Sequence, residues 1–170
     1  MGTPLELLQD VQKFNVKSEV LLSFRRNRRN YGILQATQML EGKNSKGLQI
    51  GHYRPPTGAY AEMKYGKNSL AGKGNVDLKL HDNFYKGIVA TLMGDDISVK
   101  STDSKYKKLT DAYGQEIWGL DDPMMEFFAE MMDYQFKRRF LEVTGLEFSG
   151  LEDPGLPANS STIKSLIAQQ

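Results

Sequence analysis

Four closely spaced arginines are the residues of this chain best suited to binding chemistry. Arg25, Arg26, Arg28 and Arg29 cluster within a predicted helix. Guanidinium groups bind carboxylates and phosphates through paired, charge-assisted hydrogen bonds. Two interpretations stay open at this point: a helix face in contact with water, or a contact with DNA or with an acidic protein.

Residue patterns that would support catalysis are sparse. His52 and His81 are the only histidines, and neither lies in a nucleophile or metal-binding motif. The pair Asp95–Asp96 after Gly94 resembles a metal-binding hairpin tip and would predict metal-dependent hydrolysis, although a simple turn is the better interpretation. The chain has no cysteine, so it can form neither a disulfide nor a thiolate metal site. We therefore expect no enzyme activity, no metal and no cofactor.

The composition is that of a globular chain with almost no net charge. Its 170 residues include 22 basic and 21 acidic ones, enough chain for one domain with a core. This balance excludes attraction of the whole molecule to DNA or to an anionic membrane, so only local patches could attract either. No apolar run approaches the ~20 residues of a membrane span, and we expect no membrane partner. The absence of cysteine is typical of proteins assembled in a reducing cytoplasm.

A β-hairpin is predicted at residues 88–100. Ile88–Met93 and Ile97–Lys100 are rich in β-forming residues, and Gly94 and the two aspartates after it suit a tight turn. The second strand alternates apolar and polar residues, so one of its faces should be wet. The first strand is apolar on both faces. Since a lone hairpin is marginal in water, we expect helices, a further strand or another subunit to cover both.

Helices are predicted around the hairpin at residues 4–14, 17–40, 104–113 and 123–144. Thr3 and Glu6 form a capping box before the first of them. Asn15 should cap the second helix. Asp122 should cap the last, with Pro123 as its first residue. The fold class is therefore α+β, a small antiparallel sheet packed by helices, with extended arms.

The two long helices differ in their apolar pattern. Residues 17–40 place their apolar side chains on one narrow arc, opposite the arginines: Val20, Phe24, Tyr31 and Leu34. Asn27 and Gln38 interrupt this stripe, and Gly32 weakens the helix by up to ~1 kcal/mol, which suggests a bend. In residues 123–144 the apolar residues cover about half of the circumference. Either this helix is central to the core, or part of its surface packs against a second chain.

Two segments are predicted to extend from a domain at residues 1–146. Residues 41–74 are rich in glycine and lysine but contain several tyrosines, so we expect an arm that lies on a neighbouring molecule, with a short helix near 59–65. Residues 147–170 read as a C-terminal tail that contacts neighbours, because alone they offer little apolar surface to offset the cost of ordering. The candidate interface residues are Tyr53, Tyr60, Tyr65, Met124, Phe128, Met132, Leu156, Ile163 and Leu166.

Several strings between residues 35 and 143 carry a family resemblance. They are LEGKNSKGLQIGHY, TGAYAEMKYG, GNVDLKLHDNFYKGI and YGQEIWGL. In these strings, together with the Gly-Asp-Asp turn and the final helix, the chain resembles neck or tail-completion proteins encoded by tailed phages and prophages of Bacteroidota, crAss-like phages included.

The resemblance implies a non-enzymatic virion protein, assembled in the bacterial host cytoplasm, that joins portal to tail. It implies an α+β subunit in a ring of identical copies, twelve-fold or six-fold, with portal, tail or other neck proteins as neighbours and packaged DNA in the lumen. The arginines would face an acidic neighbour or that DNA. Such a ring needs two unlike faces on each subunit, and the predicted arms and surplus apolar surface agree with extensive contacts.

A second hypothesis is a small nucleic-acid-binding accessory protein. It would track a nucleic-acid backbone with Arg25 to Arg29 and with the lysines at 43, 46, 64, 67 and 73 and the tyrosines interleaved with them. The near-zero net charge argues against this hypothesis.

Overall fold

The computed structural model describes residues 3–53, 59, 62–63, 66, 73–76, 78, 82–94, 96–146 and 152–155. Their elements are α1 (Pro4–Lys13), α2 (Val16–Leu40), α3 (Asp82–Lys86), β1 (Ile88–Met93), β2 (Asp96–Ser101), α4 (Tyr106–Tyr113), a 3₁₀ turn (Gln115–Ile117) and α5 (Asp122–Thr144). Helices packed on a two-stranded antiparallel sheet confirm the predicted α+β class.

The hairpin forms where the sequence predicts it. Met93 pairs with Asp96, so the turn contains two residues and Asp96 already belongs to β2. Gly94 has a φ of 66°, a conformation that glycine adopts without steric cost. In β2 the predicted alternation holds at Val99, which is buried, and Lys100, which is exposed.

Among the described residues, strand β1 is covered on one face only, and cover of its other face by another subunit stays a prediction. Ile88 and Ala90 are buried under α2, whereas Val89 and Met93 on the other face are 42% and 61% exposed. The reason is that α2 packs along β1 from one side, and none of the described elements packs on the other. The described part of the chain therefore leaves the second face of the hairpin uncovered.

The starts of α1 and α2 follow the capping chemistry read from the sequence. Thr3 Oγ1 accepts a hydrogen bond from the Glu6 amide at 3.3 Å, and Glu6 Oε2 accepts one from the Thr3 amide at 2.6 Å. Asn15 Oδ1 accepts from the Ser18 amide at 3.0 Å. Each cap satisfies an amide that has no partner inside its helix.

The predicted cap of α5 is wrong by one residue. Asp121, not Asp122, is the cap, and its Oδ1 accepts from the Met124 amide at 3.2 Å. Both aspartates suit the position locally, but Asp121 is also held from outside. Its amide donates to Gln38 Oε1 on α2, and this contact fixes where the helix begins.

The core lies between α2, α5 and the hairpin. Residues 31–39 of α2 are all buried, because α5, β1 and the segment 117–121 together surround this half of the helix. Phe128 of α5 meets Phe24 and Tyr31 edge to face, with ring centroids 6.1 and 5.0 Å apart. Val20, which the sequence placed on the same arc, is 44% exposed because the N-terminal turns of α2 extend beyond the core.

Two buried glutamines tie α2 to the segment 117–121. Gln35 donates to the Ile117 carbonyl at 3.1 Å and accepts from the Gly119 amide at 2.7 Å. Gln38 donates to the Gly119 carbonyl at 3.0 Å and accepts from the Asp121 amide at 2.7 Å. The two side-chain amides, here called the glutamine clamp, satisfy backbone groups that this irregular segment cannot pair within itself. Gln38, which in the sequence only interrupts an apolar stripe, therefore joins α2 to the segment that precedes α5.

Gly32 has a packing role. Helix α2 is uninterrupted through this residue. A Cβ there would lie 3.2 Å from the Ile88 carbonyl oxygen, so the missing side chain lets the helix approach the backbone of β1.

Helix α1 packs against α5, and an aromatic ring just after its last residue adds to this contact. Phe14, just beyond its last residue, lies edge-on to Phe136 and Phe140 of α5 at centroid distances of 5.4 and 4.8 Å. The apolar side chains of Leu5 and Leu8 are 64% and 54% exposed. None of the described helices is long and apolar enough to cross a membrane.

The arm predicted at residues 41–74 begins on its own chain. The Ser45 amide donates to the Glu116 carbonyl at 2.8 Å. Its two ends also pair with each other, since the Tyr53 amide donates to the Gly74 carbonyl at 2.6 Å. Most of the helix predicted at 59–65, and most of the tail predicted at 147–170, lie outside the described residues.

Candidate interaction surface beside helix α2

All four arginines project from the N-terminal half of α2 and are exposed, as the helical pattern predicts. The side chains of Arg25, Arg26 and Arg28 form no hydrogen bond or ion pair with any described residue. No acidic group in the described part of the chain therefore neutralises these three charges. This leaves several guanidinium groups on one helix free to bind an anionic partner.

A groove runs between these arginines and strand β1. One part, of about 400 Å³, is lined chiefly by Arg28, Arg29, Lys86, Ile88, Val89 and Ala90. The adjoining part, of about 340 Å³, is lined chiefly by Phe24, Arg25, Arg28, Ala90, Thr91 and Leu92. Arg28 and Ala90 border both parts, so the hollows form one continuous feature, which we call the α2–β1 groove.

The groove has a positive rim. Lys86 adds its ammonium group to the guanidinium groups of Arg25, Arg28 and Arg29, and none of the described residues that line the groove is acidic. The described rim would therefore attract an anionic partner, with an interaction strengthened by partial exclusion of water.

One wall of the groove is the outer edge of β1. In a hairpin with a two-residue turn the flanking pair, here Met93 and Asp96, exchanges hydrogen bonds, and the bonded pairs then alternate along the strands. Ala90 and Leu92 therefore direct their amide and carbonyl groups away from β2. Ile88 is two residues before Ala90, so its backbone groups should point the same way. Its carbonyl indeed faces Gly32 of α2 and not β2.

The predicted interface residues are distributed differently from what the sequence suggested. Phe128 is only 3% exposed and belongs to the core of its own chain, so it offers no surface to a second molecule. Met124, Met132 and Tyr53 are partly buried against the same core. The remaining candidates lie outside the described residues: Tyr60, Tyr65, Leu156, Ile163 and Leu166.

Part of the exposed apolar surface lies on the first two helices. Five side chains on α1 and the first turns of α2 are between 37% and 64% exposed: Leu5, Leu8, Val16, Val20 and Leu22. Sequence reasoning also missed Ala90 and Leu92 as lining residues. The hairpin's turn length carried a signal for them, because it decides which residues point their backbone outward.

The residues considered for catalysis do not assemble into a site. His52 is exposed and forms an isolated bridge with Asn75, and Asp96 is exposed at the start of β2. His81 and Asp95 lie outside the described residues. Among the residues that the structure describes, no three His, Cys, Asp or Glu side chains come close enough together to hold a metal ion.

Comparison of the chain with protein-family models, with curated proteins and with solved structures gives no match. The resemblance to phage neck proteins therefore stays a prediction, and the surface geometry has to support any proposal about function.

Proposed function

We propose that this chain is a non-enzymatic structural protein of a tailed-phage virion, a subunit of the neck or connector ring that joins portal to tail. The observation that carries the proposal is apolar surface left open in two places. One is the outer face of β1, with Val89 and Met93. The other is the exposed apolar patch on α1 and α2 described above.

These two surfaces suit contacts between copies. Full burial of one aliphatic side chain is worth roughly 1.5–3 kcal/mol, so completing the burial of several half-exposed ones gives a few kcal/mol towards association. The surfaces belong to different elements. A contact between unlike surfaces is heterologous, and it forms a ring when the rotation from one copy to the next closes on itself.

The resemblance in the sequence supplies the place of this ring in the virion. At a head-to-tail junction its neighbours would be portal, tail or other neck proteins. The arginines of α2 would then face an acidic segment of such a neighbour, or DNA in the lumen.

Size-exclusion chromatography with light scattering tests the proposal on the purified chain. We expect one closed oligomer of defined mass, and Val16→Ser with Val20→Ser should lower that mass. Met125→Ser is the matched control, since Met125 is 37% exposed on α5, outside both surfaces, and its loss should leave the mass unchanged. A chain that stays monomeric at every concentration would overturn the ring.

The exposed arginines of α2 favour one other function, an accessory protein that binds nucleic acid. If Arg25, Arg26 and Arg28 neutralise three phosphates, the logarithm of the DNA affinity should fall with the logarithm of salt concentration with a slope of about −3. Fluorescence anisotropy of a labelled duplex measures this slope, and a flat dependence would reject the alternative.

A further inference from the structure

We propose that the α2–β1 groove binds an extended acidic segment of a different protein, which adds to β1 as a third strand and places its carboxylates against the arginines of α2. The inference names a class of partner for the proposed connector subunit, but it does not depend on ring formation. It rests on the strand edge, the charge of the rim and the chain's own sequence.

The strand edge offers unpaired backbone groups. Ala90 and Leu92 point their amides and carbonyls into the groove, and no described backbone group outside the hairpin bonds to them. An open edge of this kind is a template for an added strand, whose main chain supplies the missing donors and acceptors. At the Lys86 end, the Ile88 carbonyl faces α2 at Gly32, so pairing begins at Ala90.

The rim sets the charge of the incoming segment. Along α2, Arg25 lies three and four residues before Arg28 and Arg29, a rise of about 4.5–6 Å. Side chains on one face of a strand are spaced by about 6.6 Å, because each residue advances about 3.3 Å. Carboxylates on alternate residues can therefore reach arginines on successive turns of the helix.

The other face of the added strand would continue the open face of β1. Val89 and Met93 project there and are largely uncovered. Apolar side chains on the alternate positions of the incoming segment would pack beside them. The segment that fits the groove thus alternates acidic and apolar residues.

The partner is a different protein because this chain lacks such a segment. No two acidic residues anywhere in its sequence are separated by a single residue. A second copy could therefore not place carboxylates on alternate positions of a strand. A peptide also fits better than DNA, because the groove wall is a row of alternating donors and acceptors that a phosphate backbone cannot match.

The test uses the full chain and a blocked hexapeptide in which valine and glutamate alternate. In ¹H–¹⁵N spectra, the shifts on titration should centre on Ala90 and Leu92. Arg25→Glu with Arg28→Glu should weaken binding by about tenfold or more, since two attractive contacts become repulsive. The matched control is Lys17→Glu with Lys108→Glu, which alters net charge equally at two exposed sites away from the groove and should keep the affinity.

Two N-methylated peptides separate strand pairing from simple charge attraction. One carries the methyl groups on its glutamate amides and the other on its valine amides. In an added strand only one of these sets faces β1, so one peptide should lose binding and the other keep it. Equal behaviour of the two peptides, or equal binding of a peptide with all glutamates in one block, would overturn the proposal.

Other results would also overturn it: no binding of the alternating peptide, or binding of a DNA duplex in its place. Failure of this inference is distinguishable from failure of the ring. A monomeric chain that binds the peptide at β1 would reject only the ring. An oligomeric ring that does not bind the peptide would reject only the groove proposal.

Discussion

The two halves of helix α2 have opposite surroundings although the helix is continuous. Residues 31–39 are buried without exception, while residues 16–22 are exposed or half-buried. The buried half includes two glutamines, and the exposed half includes Val16, Val20 and Leu22.

This contrast shows that position along the helix decides burial more than side-chain polarity does. Gln35 and Gln38 are tolerated inside because each of them makes two hydrogen bonds to an irregular segment. The exposed valines remain outside because no described element reaches that end of the helix closely enough to cover them. One half therefore serves the fold, and the other would present surface to the proposed partners.

The largest effect should come from breaking the buried half at Gln38→Ala. The Gly119 carbonyl and the Asp121 amide would both lose their partner, so the free energy of unfolding should fall by about 3 kcal/mol. Urea unfolding followed by tryptophan fluorescence measures this, because the chain's single tryptophan, Trp118, lies in the clamped segment. Arg26→Ala in the exposed half is the control and should stay within about 0.5 kcal/mol. Similar losses of unfolding free energy in the two variants would show that the two halves of α2 do not differ in their contribution to stability.

A smaller effect, with a defined pH dependence, is expected at Tyr31. Burial raises the pKa of Tyr31 above its ordinary value of 10.0, and a hydrogen bond to the Leu120 backbone opposes this only in part. Because the pKa is higher in the folded state, its contribution to stability is complete below pH 10.0 and declines as pH rises through the folded-state pKa.

Tyr31→Phe should cost about 1 kcal/mol near neutral pH, through loss of that hydrogen bond, and should make the alkaline loss of stability shallower. Urea unfolding at a series of pH values compares the two chains. An unchanged alkaline slope in the variant would show that Tyr31 is not protected by burial.

The smallest effect should come from the exposed half itself. Glu19 lies 3.6 Å from Arg139 of α5, one of the few contacts of these first turns with the body. Glu19→Gln should cost at most about 1 kcal/mol, and less at high salt, because partly exposed ion pairs are screened. Unfolding at low and high salt measures this. A loss as large as that of Gln38→Ala would mean that both halves of α2 stabilise the fold equally.

The sequence predicted the features whose causes are local. The capping box of Thr3 and Glu6 sets the start of α1, and Asn15 caps α2, as the sequence predicts. The exposure of the arginines followed from helical periodicity alone. These features depend on residues a few positions apart, which a single sequence displays.

Long-range contacts decided the rest. The partners of Gln35 and Gln38 in the clamp lie more than 80 residues away along the chain, so nothing near them marks these side chains as structural. The hydrogen bond from the Asp121 amide to Gln38 also explains why Asp121, and not the predicted Asp122, caps α5. The groove depends on the approach of β1 to Gly32, which the sequence showed only as a weak helix former.

The glutamine clamp also bears on how the native protein fluctuates. The segment 117–121 is hydrogen-bonded to α2 at Ile117, Gly119 and Asp121. The end of α2 and the start of α5 therefore cannot detach independently of each other. Their backbone amides should exchange hydrogen for deuterium at a common slow rate, as one cooperative unit, while the first turns of α2 exchange much sooner.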